Sequence, residues 1–205
     1  NIAASPDARL VAIADVDEKA AKNLAAATGA EAASADEILA DRTVDAILIA
    51  TSTDTHADFI EKGAKAGKAV LCEKPVSLDA KRIEACLEVV EAAGTPLMIG
   101  FNRRFDPNFA ALKKRLSAGA VGRVEMVTII SRDPGPPPVS YIKVSGGLYR
   151  DMMIHDFDLA RFLLDEEPVE VHAIGSVLVD PEIGRAGDVA TAMVMLRTAS
   201  GKLCQ

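Results

Sequence analysis

The chain has 205 residues, of which 49% are hydrophobic, 26% charged and 4% aromatic, with a formal net charge of −7; this is the composition of a globular protein of one or two domains with a full core. An acidic balance without clustered Lys and Arg excludes a nucleic-acid surface, and no apolar run approaches the ~20 residues of a membrane span. Cys72, Cys86 and Cys204 are odd in number and widely spaced, so neither a disulfide framework nor a CxxC metal site is implied, and a reducing, cytoplasmic setting is expected.

Short apolar runs alternate with helical patterns from the start of the chain. Residues 10–14 read as a strand, followed by an Ala-rich helix over Glu18–Thr28 with Asp17 as N-cap and Gly29 in the left-handed position beyond its end. Residues 46–50 form a second buried strand, 55–66 a helix, and 69–71 a third strand that runs into Cys72-Glu73-Lys74-Pro75. The longest helix opens at Ser77-Leu78-Asp79-Ala80, reaches about Ala93 and is stopped by Gly94-Thr95-Pro96, before a fourth strand over 97–100. This alternation predicts an α/β fold, a doubly wound parallel sheet covered by helices on both faces.

Near Arg103 the rhythm changes, which places a domain boundary between residues 1–102 and 103–205. A helix is expected over Pro107–Ser117, then a half-exposed strand over 124–130 and a stiff proline loop from Asp133 to Pro138 carrying on to Tyr141. One helix is expected from Leu148 to Leu164, with Phe157, Ala160, Leu163 and Leu164 facing the core. Strands follow over 169–179, 189–196 and 202–204 with tight turns, the pattern of an open antiparallel sheet in an α+β domain.

The chemistry concentrates in a few places. In the predicted helix Asp151 and His155 are four residues apart, hence ~5–6 Å apart at Cβ on one face. An acid so placed fixes the imidazole tautomer and raises its basicity. The same pair also reads as a surface acid at a helix start, or, with Asp156 and Asp158, as part of a metal site; the helical rotation of ~100° per residue turns those two away. In doubly wound sheets ligands lie beyond the carboxyl ends of the strands. Asp15 stands at one such end, suited to ribose hydroxyls or to helix capping. Thr51-Ser52-Thr53-Asp54-Thr55-His56 ends the next strand, offering hydroxyls and helix N-terminal amides to a dinucleotide, or an N-terminal cap cluster. Lys74 ends the third, where an ammonium can stabilise an alkoxide or point to solvent from a turn. No G-x-G-x-x-G occurs, so either the chain binds no dinucleotide or, the expectation its abrupt start at Asn1 favours, the phosphate-binding turn and its strand are missing ahead of residue 10.

Cys72-Glu73-Lys74-Pro75, Gly100-Phe101-Asn102-Arg103-Arg104-Phe105-Asp106, and Gly146-Gly147 followed by Asp151 and Ile154-His155-Asp156 together resemble the glucose-fructose oxidoreductase and inositol 2-dehydrogenase (Gfo/Idh/MocA) family of NAD(P)-dependent dehydrogenases. Residues 100–158 are most similar to its inositol 2-dehydrogenase branch. The resemblance implies a Rossmann-like NAD-binding domain lacking its first strand, then a substrate-binding domain whose sheet, incomplete at its C-terminal side, makes contacts in a tetramer. It implies an enzyme oxidising a polyol, myo-inositol foremost, with His155 as base, Asp151 orienting it and Lys74 steadying the alkoxide. Asp15, Thr51, Ser52, Thr53, His56, Glu73, Lys74 and Arg103 are then cofactor contacts, and Asn102, Arg103, Tyr141, Asp151 and His155 substrate contacts, with no metal. Arg104 is expected in a structural salt bridge. NAD is favoured over NADP by Asp15. The competing expectations are a dehydrogenase of another polyol or aldose, or a sugar- or nucleotide-sensing regulator without catalysis. With neither the glycine turn nor the later strands, the chain is expected to bind cofactor poorly and to be a fragment.

Overall fold

The computed structural model describes residues 2–205 and forms two compact units, one ending at Gly100 and the other running from Phe101 to Gln205, dividing two residues ahead of the expected boundary. In the first unit β1 (Ala12–Ile13) leads into α1 (Glu18–Thr28). Asp17 caps that helix by accepting from Lys19 N at 2.9 Å, and Gly29 ends it at φ 75°. The chain continues through β2 (Glu31–Ala32) and α2 (Ala35–Ala40), both absent from the sequence reading. Helix α2 starts in a capping box in which the Ser34 amide donates to Glu37 Oε2 at 2.8 Å and the Glu37 amide to Ser34 Oγ at 3.2 Å.

Next come β3 (Ala46–Ile49), α3 (Thr53–Lys65), β4 (Ala69–Cys72), α4 (Ala80–Ala93) and β5 (Leu97–Ile99). The parallel strands lie in two sheets among the described residues, β1 with β2 and β3-β4-β5 in that order. Side chains from β3, β4, α3 and α4 close the core, with Ile60, Cys72 and Cys86 fully buried. Gly63 lets α3 lie close on the sheet, since a Cβ there would fall 2.6 Å from Ile47 Cδ1.

The second unit opens with a 3-10 turn, Asn102–Phe105, and α5 (Pro107–Ser117), which Asp106 caps with Pro107 in the first turn. The strand expected over 124–130 is only β6 (Met126–Val127). After the prolines comes a helix the sequence hid, α6 (Val139–Ser145), so Tyr141 sits on a helix rather than on the proline loop.

The helix expected from Leu148 to Leu164 is two pieces: a π-turn, Leu148–Met152, closed by the Met153 amide reaching back five residues to Leu148 O at 2.8 Å, and then α7 (Ile154–Leu164). The strands β7 (Pro168–Ser176), β8 (Thr191–Thr198) and β9 (Leu203–Cys204), with α8 (Pro181–Arg185) between the first two, complete the unit. Their order is β6-β9-β8-β7, and β6 runs parallel to β9 while the other pairs are antiparallel, so the sheet is mixed rather than wholly antiparallel.

Ala160 and Leu164 of α7 bury against Val194, Leu196 and Cys204, with Phe157 packed at the edge. Lys202 Nζ donates to Leu164 O at 2.7 Å, satisfying the end of α7. No helix among the described residues is long and apolar enough to cross a membrane.

Candidate active site

In the first unit the candidate residues sit where β3, β4 and β5 end. The ladder aligns those ends, because the Glu73 amide donates to Ile49 O at 2.9 Å and the Gly100 amide to Cys72 O at 2.7 Å. Thr51, Ser52 and Thr53 therefore stand beside Glu73 and Lys74, and α3 presents its first amides at the same end. Thr51 Oγ1 and Thr55 Oγ1 are 2.7 Å apart, and Thr55 Oγ1 also donates to Ser52 O at 2.8 Å. Thr55 is thus committed to the turn, whereas Ser52 makes no side-chain cap bond. A Cβ at Gly100 would come within 3.0 Å of Glu73 Oε2, so a glycine there makes room for that carboxylate.

His56 is a correction. It is 2% exposed, with Nδ1 2.7 Å from Pro75 O and Nε2 3.0 Å from Thr51 O. Each ring nitrogen faces a backbone carbonyl, so the ring is turned into the protein and braces the two loops instead of presenting its nitrogens at the strand ends. Pro75 follows Lys74 through a cis peptide bond. Cys72, next to Glu73, is kept as a thiol, burial pushing its pKa up to about 12, and it donates to Glu73 O. Asp15 lies past the end of β1, in the other sheet, exposed, with one carboxylate oxygen accepting from the Asp17 amide at 2.9 Å.

In the second unit the π-turn replaces the plain i,i+4 geometry. Asp151 is buried within the turn, and His155 follows on the first turn of α7, half-buried with Nδ1 shielded from solvent. Tyr141 on α6 donates its hydroxyl to the Asp151 carboxylate; partial burial and the negative charge of Asp151 hold the phenol above its ordinary range. Tyr141 and Asp151 thus belong to one local arrangement, with His155 four residues on in the first turn of α7, and π-turns are frequent at functional sites.

Asn102 and Arg103 occupy the 3-10 turn. Arg103 pairs with Asp156, whose carboxylate also accepts from Ser131 Oγ at 2.6 Å. Arg104 grips the buried Asp158 with two bonds, Nε at 2.8 Å and Nη2 at 2.6 Å, the structural salt bridge expected of it. Asp156 and Asp158 are therefore taken up by arginines. Sequence reasoning missed Ser131, which donates to Asp156 from 25 positions away, and Asp188, which accepts from the Leu148 amide 40 positions away, because no local motif marks either.

Residues 1–101 match the model of an oxidoreductase family described by its NAD-binding Rossmann fold, and residues 109–205 match the GFO/IDH/MocA C-terminal domain. Inositol 2-dehydrogenase of Rhizobium meliloti is 57% identical over 98% of this chain and 61% of its own length; myo-inositol 2-dehydrogenase of Thermotoga maritima is 48% identical over 99% and 61%. The structure of scyllo-inositol dehydrogenase from Lactobacillus casei with bound NAD(H) and scyllo-inositol superposes with a TM-score of 0.87 at 29% identity, over 100% of this chain and 63% of that one. The chain thus spans about three fifths of the length of the curated relatives it matches.

Proposed function

We propose, from the premise that the chain belongs to the GFO/IDH/MocA family of oxidoreductases, that it serves an NAD-dependent dehydrogenase oxidising a ring hydroxyl of a cyclitol, with myo-inositol as the first substrate. The observation that carries the reading is the buried Asp151, held by Tyr141 in a π-turn one turn ahead of His155.

His155 accepts the hydroxyl proton, Asp151 supports the imidazolium as it forms, and Lys74 steadies the oxygen while it carries developing negative charge. The hydrogen on the carbinol carbon leaves with its electron pair, and the product is a ketone. NAD, when bound, supplies the acceptor for that hydride. The residues fit such a cofactor: Thr51, Ser52, Thr53, Glu73 and Lys74 are grouped at aligned strand ends beside helix amides, and the exposed Asp15 favours ribose hydroxyls over a 2′-phosphate. Arg103 acts through its pair with Asp156, while Asn102 and Tyr141 serve as polyol contacts.

Oligomerisation fits the outer face of the second sheet, where Ile174, Met193, Met195 and Leu203 are exposed and adjacent through the β7–β8 and β8–β9 pairing. A tetramer is the assembly we assign to it.

The test is NADH formation from NAD and myo-inositol, alongside scyllo-inositol and aldoses. His155→Ala is expected to abolish turnover with NAD affinity kept within a few fold, and Lys74→Ala to lower kcat by at least ~10²-fold. NAD binding without reduction by any polyol would replace this reading with a sensor.

A further inference from the structure

The π-turn that carries Asp151 is held from outside its own segment. The Leu148 amide begins the turn and has no helical carbonyl behind it to bond. It donates instead to both carboxylate oxygens of Asp188, at 3.1 and 3.0 Å, across 40 positions of sequence. Gly147, just before it, adopts φ 72° and ψ −168°, a region open essentially to glycine alone. A Cβ there would fall 2.4 Å from Asp188 Oδ1, so the carboxylate fills the space a side chain would need.

Asp188 is in turn fixed from behind: its amide donates to Ile183 O at 3.1 Å, and Ile183 of α8 is buried, with α8 packed on the α6 that bears Tyr141. A carboxylate at the opening amide of a helical turn is also favoured by the aligned peptide dipoles.

We infer that Asp188 is a positioning residue for the dehydrogenase reaction proposed above: by holding the Leu148 amide over Gly147, it keeps residues 148–152 in π rather than α register and so sets where Asp151 stands beside Tyr141. The inference rests on that reading for its catalytic meaning. Its geometry can be tested apart from it. If the bond is lost, the turn is free to close as an α-helix. One residue of register rotates Asp151 by ~100° about the axis, which takes it off the Tyr141 hydroxyl.

Tyr141 and Tyr149 are the two tyrosines of the chain and there is no tryptophan, so in a Tyr149→Phe background the phenolate absorbance reports Tyr141 alone. In that background the full chain is titrated as the parent, Asp188→Ala and Asp188→Asn, and kcat and KM are measured with NAD and myo-inositol. We expect Tyr141 to titrate lower in Asp188→Ala by half a pH unit or more, in Asp188→Asn by less because the amide oxygen still accepts, and kcat to fall at least tenfold in Asp188→Ala with NAD affinity unchanged. One Tyr141 titration curve in all three proteins overturns the inference, whatever the activity. A shifted curve in a protein inert toward every cyclitol upholds the positioning of Asp151 and removes the dehydrogenase reading instead. Should Asp188→Ala not fold, hydrogen exchange at the Leu148 amide decides, expected several-fold faster in Asp188→Asn than in the parent; equal rates overturn it.

Discussion

Replacing His56 by Phe keeps roughly the volume of the ring and removes both of its polar contacts. The Pro75 carbonyl then loses a buried partner at 2.7 Å and the Thr51 carbonyl a partly buried one at 3.0 Å. A carbonyl left dry costs about 1–3 kcal/mol. A neutral imidazole donates through one nitrogen only, so one of the two carbonyls loses its donor, for a total of about 1–3 kcal/mol. Because His56 opens α3 against the core of the first unit, the cost appears as easier opening of α3 and β4. Hydrogen exchange of segments 53–65 and 69–72 in the full chain is the assay. Their slowest amides should exchange about 5- to 150-fold faster, with α7 in the other unit unchanged as the internal control. Acceleration below about threefold would refute the brace and return His56 to the list of side chains available to a ligand.

The Arg104–Asp158 pair predicts a second stability effect. Removing one partner of a buried ion pair costs about 3–5 kcal/mol, and since the Arg104 side chain is 36% exposed, about 2–3 kcal/mol is expected for Asp158→Ala, with less for Asp158→Asn; urea midpoints indistinguishable from the parent would contradict it. Glu166 predicts a pH effect. Its bonds to Lys202 and Ser200 draw its carboxyl from 4.5 down to about 2 in the folded chain. Stability from this group is therefore whole above about pH 4.5 and is lost as pH falls toward 2. In Glu166→Gln the thermal midpoint should fall less steeply over that window, and parallel curves would rule the linkage out.

What the sequence disclosed follows from where the controlling contacts lie. Helices α1, α4 and α5 are legible because their signals are local: Asp17, Asp79 and Asp106 as caps, Gly29 and Gly94 at the ends. The Ser34–Glu37 capping box was an available signal for α2 that the reading passed over, and α6 was hidden because three prolines before Val139 read as loop. The register of the π-turn was not legible at all. An i,i+4 acid and histidine look the same in α and π register, and the choice depends on Asp188, 40 positions from Leu148. His56 misled in the opposite sense, as a polar residue at a strand end whose ring turns inward to Pro75. Strand direction was equally non-local, since nothing in residues 124–130 announces that β6 runs parallel to β9.

The close approach of α3 to its sheet at Gly63 ties the core to the strand ends. A methyl group there would meet Ile47 Cδ1 at 2.6 Å and Val70 Cγ2 at 3.0 Å, so Gly63→Ala is accommodated only if Ile47 swings aside or the helix lifts. Lifting α3 would carry its opening residues, Ser52 and Thr53, away from Glu73 and Lys74, so a substitution made deep in the core would be felt at the rim.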